Sequence, residues 1–342
     1  MTSSNLETTA RALVVKGKGI LAADESSGTI EKRFKSIGVT STEENRRDYR
    51  QMLFTTKGAA EFVSGVILFD ETLRQSTADG TPFSQLLTDQ GIIPGIKVDT
   101  GAKDLSGFPG EKITEGLDGL RDRLKEYREL GAGFAKWRAV ITIGDNIPSR
   151  FCIDANTHAL ARYASLCQEA GIVPIVEPEV LMDGSHTIDR CEEVTEVTLG
   201  SLFTALGDHG VALEGALLKP NMVLSGKDCP QQASVQEVAE ATVRCFRRTV
   251  PAALPGIVFL SGGQSDELAT AHLNAMNAMG DHPWELSFSY GRALQAPALK
   301  AWLGDAANVP AAQNAYYHRA KCNGAARYGK YSEAMEKEPT MA

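Results

Sequence analysis

The stretch GALLKPNMV, residues 215–223, places an ammonium among residues suited to a protein interior. Burying such a group is unfavourable unless it is paired, hydrogen-bonded or deprotonated. Lys219 therefore either reaches water along its own stem or performs chemistry. Other charges recur in the same setting. FAKWR sets Lys136 and Arg138 two residues apart, and VEPE does the same with Glu177 and Glu179. In a strand that spacing puts each pair on one face. Asp24 closes GILAAD, Lys97 lies in IIPGIKV, and Asn221 follows Lys219 by two residues. A neutral lysine is a nucleophile that forms a Schiff base with a ketone or aldehyde, and cationic neighbours together with desolvation favour its neutral form. Lys136 is the candidate cationic neighbour of Lys219. Glu177 is the candidate group to move the protons that carbinolamine formation and dehydration require. In FLSGGQSDEL, Gly262 and Gly263 let backbone N–H groups approach an anion, with a helix expected to begin near Ser265.

These residues need elements that bring them together. Eight apolar runs of strand length occur at 19–24, 63–69, 92–98, 134–141, 173–180, 216–223, 257–263 and 285–291. Amphipathic segments separate most of them. Residues 154–171 carry Ala159, Tyr163, Leu166 and Cys167 at helical spacing and end in glycine. Residues 234–251 open on Ser234 with Glu237 three residues on, a capping-box pattern. Strand and helix alternating in this way predict an α/β protein, a single (β/α)8 barrel of the TIM type spanning 1–342 as one domain. An open doubly wound sheet is the rival architecture, but no GxGxxG loop follows the first run. An extra helix is expected before residue 19, and a short, polar, mobile tail over 330–342. In such a barrel catalytic groups sit at the C-terminal strand ends. Asp24, Lys97, Lys136, Arg138, Glu177, Glu179 and Lys219 then converge on one mouth, with Ser261-Gly262-Gly263 and Ser289-Tyr290-Gly291-Arg292. The alternative is a set of structural ion pairs lining the barrel.

The chain of 342 residues is 43% hydrophobic and has a formal charge of −8. A cation-rich mouth on an acidic protein points to an anionic ligand, phosphate in particular. The overall charge and the lack of a basic block argue against nucleic acid. Six cysteines, with no CxxC pair, read as buried thiols of a reducing compartment. No signal-peptide core and no membrane-spanning run is present, which makes a cytoplasmic enzyme the expected class.

Taken in order, GKGILAADESSGTIEKRF (17–34), TEENRRDYR (42–50), GVILFDETL (65–73), GIKVD (95–99), FAKWR, VPIVEPE (173–179), LLKPNMV (217–223), FLSGGQS (259–265) and FSYGRALQ (288–295) resemble class I fructose-1,6-bisphosphate aldolase over about residues 7 to 330. The resemblance implies a metal-independent, cofactor-free lyase that cleaves fructose 1,6-bisphosphate in glycolysis and gluconeogenesis. It implies Lys219 as the Schiff-base residue, Glu177 as the acid/base of imine formation and hydrolysis, Lys136 as a helper in those transfers, and Asp24 as the group at the C4 hydroxyl. Lys97, Arg33 and Arg138 match cations near the substrate and its far phosphate. Ser261, Gly262, Gly291 and Arg292 match the seat of the C1 phosphate, and Ser26 and Thr29 belong to the same phosphate-binding set. Thr29 stands where many members carry serine. The terminal tyrosine of animal and plant members has no counterpart, because this chain ends EKEPTMA and its last tyrosine is Tyr331. The resemblance further implies a homotetramer acting on small sugar phosphates. It does not separate fructose 1,6-bisphosphate from fructose 1-phosphate or sedoheptulose 1,7-bisphosphate.

Three other classes are weighed against it. A metal-dependent aldolase needs a histidine cluster, and the six histidines show no HxH or HxxH. A pyridoxal-phosphate enzyme also uses a lysine and a phosphate seat. A sugar-phosphate-binding scaffold on an inactive barrel would be credible had Asp24, Glu177 or Lys219 been replaced.

Overall fold

Alternation along each strand sorts side chains between a barrel interior and an outer layer. The computed structural model describes residues 3–337. Its strands are β1 (Gly19–Ala23), β2 (Val63–Leu68), β3 (Ile93–Lys97), β4 (Gly101–Asp104), β5 (Lys112–Glu115), β6 (Phe134–Ile141), β7 (Val173–Val180), β8 (Leu217–Leu218), β9 (Gly256–Phe259) and β10 (Glu285–Tyr290). Eight of them close into a parallel barrel in the order β1-β10-β9-β8-β7-β6-β3-β2, as the alternation of runs predicts. The other two, β4 and β5, form an antiparallel hairpin inserted between β3 and β6. The sequence reading did not anticipate it.

The inner positions change character from bottom to top. Ile20 and Ala22 of β1, Phe134 of β6, Val173 and Ile175 of β7, Leu217 of β8 and Val258 of β9 form one apolar cluster. Two residues further along the same inner rows come Asp24, Lys136, Glu177 and Lys219. Residues of the opposite parity, such as Leu21, Ala135, Trp137, Val176, Leu218 and Phe259, join the outer core beneath the helices. One chain thus builds an apolar floor and a charged mouth simply by continuing each strand by two residues.

The expected N-terminal helix spans Ser3–Leu13. Its Leu6, Ala10 and Leu13, three to four residues apart on one face, join the interior cluster. The helix therefore plugs the floor of the barrel. The Phe134 ring fills the space beside Gly95, where an added Cβ would come within 2.4 Å of it.

The helix expected over 154–171 begins earlier, at Arg150, because Ser149 caps it by accepting from the Cys152 N–H. Ser234 and Glu237 form the expected capping box on Val235–Thr249. The first part of the tail is not loose. Residues Glu333–Lys337 form a short 3-10 helix, Tyr331 is buried, and Glu336 pairs with the buried Arg319 of the helix Val309–Ala326. A buried guanidinium needs a carboxylate, and the tail supplies it. The remainder of the expected mobile tail, 338–342, lies outside the described residues.

Candidate active site

A cavity of about 490 Å³ opens at the C-terminal ends of the strands. Asp24, Lys97 and Lys219, at or just beyond strand ends, line it with Lys136, Arg138 and Glu177, which lie within the longer β6 and β7. Ser26, Thr29 and Arg33 reach it from the turn and helix after β1, and Ser261, Gly262, Gly291 and Arg292 from the loops after β9 and β10. The thirteen residues that the resemblance assigns to the site thus share one cavity, whereas Asn221, Gly263 and Tyr290, also singled out in the sequence, do not line it.

The centre is a buried, alternating chain of charges. The Lys219 Nζ lies 3.2 Å from Glu177 Oε1. The Lys136 Nζ lies 3.0 Å from Glu177 Oε2 and 2.8 Å from Asp24 Oδ2. Lys136, Glu177 and Lys219 are each only 3% exposed. This corrects the expectation that cations crowd Lys219. Among the described residues its ion-pair partner is a carboxylate, and Lys136 stands on that carboxylate's far side. β6 and β7 bring this about, since Lys136 and Glu177 are inner residues on neighbouring strands.

Burial alone would raise the Asp24 carboxyl, but Lys136 and Lys219, with Lys97 farther off, outweigh it and hold the group below the ordinary carboxylate range. Burial opposes ionisation of Glu177 as well, and Lys136, Lys219 and Arg138 overcome it. Burial would likewise strip Lys136 of its proton, yet Asp24, Glu177 and Asp99 keep the ammonium charged and raise its pKa. Two carboxylates and the cation between them are therefore fixed in their charged forms at neutral pH. Glu177 is a base within reach of the Lys219 amine, so a proton has a short direct path between them.

The rim carries further cations, each tied to its own anion. Lys97 pairs with Asp99 at 2.8 Å, Arg138 with Glu179, and Arg33 with Glu25. Glu25 is a hub that the strand-end pattern missed, although it follows Asp24 directly. It also pairs with the buried Arg50 at 2.5 Å and accepts from Gln295 Nε2 at 2.8 Å. Burial would raise its carboxyl, but Arg50 and Arg33 lower it. Arg50 lies in the helix Glu43–Phe54, so no sequence spacing links the two.

On the opposite side of the mouth Gly262 adopts φ +57, a left-handed conformation that glycine takes without strain. The exposed Arg292 donates to the Gly262 carbonyl. The expected helix after Ser265 does exist, capped by Ser265 over Asp266–Ala278. Ser265 does not line the cavity, however. The helix whose start meets it is Arg292–Trp302, entered through Gly291. Its first backbone N–H groups have no carbonyl ahead of them within the helix, which makes that terminus the better anion seat. Ser289 Oγ, buried and without a hydrogen-bond partner among the described residues, also lines this side.

Comparison with known proteins agrees with this geometry. A family model described as fructose-bisphosphate aldolase class-I matches residues 5–342. The chain is 62% identical to a probable fructose-bisphosphate aldolase class 1 of Xanthomonas axonopodis pv. citri, over 97% of this chain and 99% of that one. It is 56% identical to a fructose-bisphosphate aldolase of Dictyostelium discoideum, over 96% and 93% of the two chains. It is 57% identical to a cytosolic fructose-bisphosphate aldolase of Arabidopsis thaliana, over 92% and 80%. Among solved structures it superposes on the fructose-bisphosphate aldolase of Plasmodium falciparum, crystallised with TRAP and a small-molecule inhibitor, with a TM-score of 0.95. That pair is 53% identical and covers 96% of this chain and 95% of the other.

Proposed function

This chain belongs to the class I fructose-bisphosphate aldolase family, and from that premise we propose that Lys219 carries the retro-aldol cleavage of fructose 1,6-bisphosphate as a Schiff base. The observation that carries the assignment is the buried Lys219 amine 3.2 Å from the Glu177 carboxylate, within a cation-lined mouth of about 490 Å³. The amine adds to the open-chain ketone carbon, and Glu177 moves the protons as the carbinolamine forms and loses water. Lys136 holds Glu177 and Asp24 in place and in their ionised forms. Asp24, being a carboxylate, accepts the C4 hydroxyl proton while the C3–C4 bond breaks and its electrons flow to the iminium nitrogen. Glyceraldehyde 3-phosphate leaves. The enamine is protonated, and hydrolysis frees dihydroxyacetone phosphate and regenerates the lysine. Ser261, Gly262, Gly291 and Arg292 seat the C1 phosphate, with Ser26 and Thr29 beside Arg33 nearby. Lys97, Arg33 and Arg138 meet the rest of the sugar and the far phosphate.

Location in the cytosol belongs to the same proposal. It is supported by the cytosolic plant relatives, by six buried thiols outside any disulfide, and by the absence, among the described residues, of a helix long and apolar enough to cross a membrane. Assembly as a homotetramer rests on family membership alone, and sedimentation velocity tests it.

The decisive experiment is borohydride reduction in the presence of dihydroxyacetone phosphate. One secondary amine is expected, in the peptide containing Leu218-Lys219-Pro220. Lys219→Met is expected to lose labelling and turnover while staying folded, because the new side chain has similar length. Cleavage is expected to persist in EDTA, since the imine is the electron sink. Labelling at Lys136 or Lys97 with Lys219→Met still active refutes the assignment.

A further inference from the structure

A second cluster of chemically capable side chains lies away from the cavity. His318 and Cys322 sit four residues apart on the helix Val309–Ala326, which puts them on one face. Glu336 comes from the short helix Glu333–Lys337. Their donor atoms all lie within 4.8 Å of one another. His318 Nε2 is 3.7 Å from Cys322 Sγ and 3.5 Å from Glu336 Oε2.

Those separations match a tetrahedral ion. Zinc binds nitrogen and oxygen at about 2.0–2.1 Å and thiolate at about 2.3 Å, so adjacent ligand atoms stand roughly 3.3–3.6 Å apart. Two of the three edges are already within a few tenths of an ångström of that. The carboxylate is also held in a fixed orientation. The Tyr331 hydroxyl donates to Glu336 Oε1 at 2.8 Å, while Oε2 accepts from Arg319 and offers its remaining lone pair toward His318. Arg319 braces Glu336 and is itself anchored on the Asp266 carbonyl and the Thr270 hydroxyl. Partners of this kind around a ligating carboxylate are what metal sites use to orient it. Cys322 is buried, whereas the His318 and Glu336 side chains are 14% and 20% exposed, which gives water access as a fourth ligand.

We propose that His318, Cys322 and Glu336 form a site for a thiophilic divalent cation, zinc by preference, which fastens residues 331–337 to the helix Val309–Ala326. Coordination breaks the Cys322 S–H bond, forms a sulfur–metal bond and releases one proton to solvent. Neutral His318 and the Glu336 carboxylate donate lone pairs, and no oxidant or reductant is involved. The ion takes no part in the cleavage reaction, since none of the three residues lines the catalytic cavity.

Cobalt(II) is the probe. The full-length protein, stripped with a chelator and dialysed, is titrated with cobalt and then with zinc. One equivalent is expected to give a thiolate-to-cobalt charge-transfer band and intense tetrahedral visible absorption, both abolished by zinc. Cys322→Ser is expected to lose the charge-transfer band. His318→Ala and Glu336→Gln are expected to weaken binding by at least about tenfold, since loss of even an outer-shell partner costs that much. Cys322→Ser keeps the Glu336 carboxylate that the buried Arg319 needs, which makes it the variant whose folding is safest. Zinc is expected to raise the thermal midpoint of the wild type and not of Glu336→Gln. No charge-transfer band in the wild type, or a band unchanged in Cys322→Ser, overturns the proposal.

Discussion

Lys136→Met preserves the length of the side chain and removes the ammonium that lies 2.8 Å from Asp24 and 3.0 Å from Glu177. Removing one partner from a buried ion-pair network costs about 3–5 kcal/mol. Lys219 still faces Glu177 at 3.2 Å, so the lower end, about 3 kcal/mol, applies here. At 1.36 kcal/mol per pKa unit, that corresponds to roughly two units of upward shift shared by the two carboxyls. In the wild type both carboxyls lie below their ordinary values. Their contribution to stability is therefore present above the ordinary carboxyl range near about 4 and is lost only as pH falls below it. In the variant the buried carboxyls take up a proton at higher pH than in the wild type, which relieves the uncompensated charge. The variant's stability deficit is thus expected to be full at about pH 8 and to shrink toward about pH 4, the ordinary carboxyl range. The acid limb of kcat/KM is expected to move up by roughly one unit, because the proposed mechanism uses Glu177 and Asp24 as bases. Urea unfolding at the two pH values and a pH–rate profile read both effects. Borohydride trapping on Lys219 is expected to survive at a reduced rate. An equal deficit at both pH values with an unmoved acid limb refutes the idea that Lys136 keeps the carboxylates ionised.

The phosphate seat and the tail yield two more expectations. Arg292→Ala removes a charge-assisted donor worth about 1.5–3 kcal/mol, so the affinity for a bisphosphate substrate is expected to fall roughly tenfold to hundredfold with the fold intact. Unchanged affinity, measured by calorimetry on the Lys219→Met background, puts the seat elsewhere. Ending the chain after Tyr331 removes Glu336 and leaves the Arg319 guanidinium, 3% exposed, with only the neutral Asp266 carbonyl and Thr270 contacts described above. Urea unfolding is expected to show a loss of about 3–5 kcal/mol. Turnover per folded molecule is expected to hold, because no residue of 331–337 lines the cavity; a large fall in kcat would make the tail part of the catalytic apparatus.

Much of the barrel was legible because strand periodicity is local. Each inner row, such as Phe134, Lys136 and Arg138, writes its own switch from floor to mouth in alternate letters. The β4–β5 hairpin was not legible. Its strands are four residues each, mostly polar and partly exposed, so no apolar alternation marks them. The strand around Lys219 also proved shorter than its apolar run. Only Leu217–Leu218 pair as β8, although the Lys219 N–H still donates to the Val176 carbonyl at 2.8 Å. The runs after it are buried by packing rather than by pairing, and composition does not separate the two. The sign of the charge beside Lys219 needed the registration of β7 against β8, which sets Val176 opposite Leu218. The Glu25–Arg50 pair needed a helix and a strand end to meet 25 residues apart. Both are facts of tertiary structure with no short-range signature.

The helical plug under the barrel has a kinetic meaning. With Leu6, Ala10 and Leu13 packed into its floor, the vessel is a cul-de-sac and all traffic uses the mouth. Lys219 lies deep within it, whereas Arg138 and Arg292 stand at the more exposed rim. In the proposed mechanism both fragments reach from this depth to the rim, but only one is tethered to the lysine. The tether then sets the order of departure: the free aldehyde can clear the rim while the imine still holds its partner, which follows after hydrolysis. In the condensation direction the queue reverses, and the ketone must dock first.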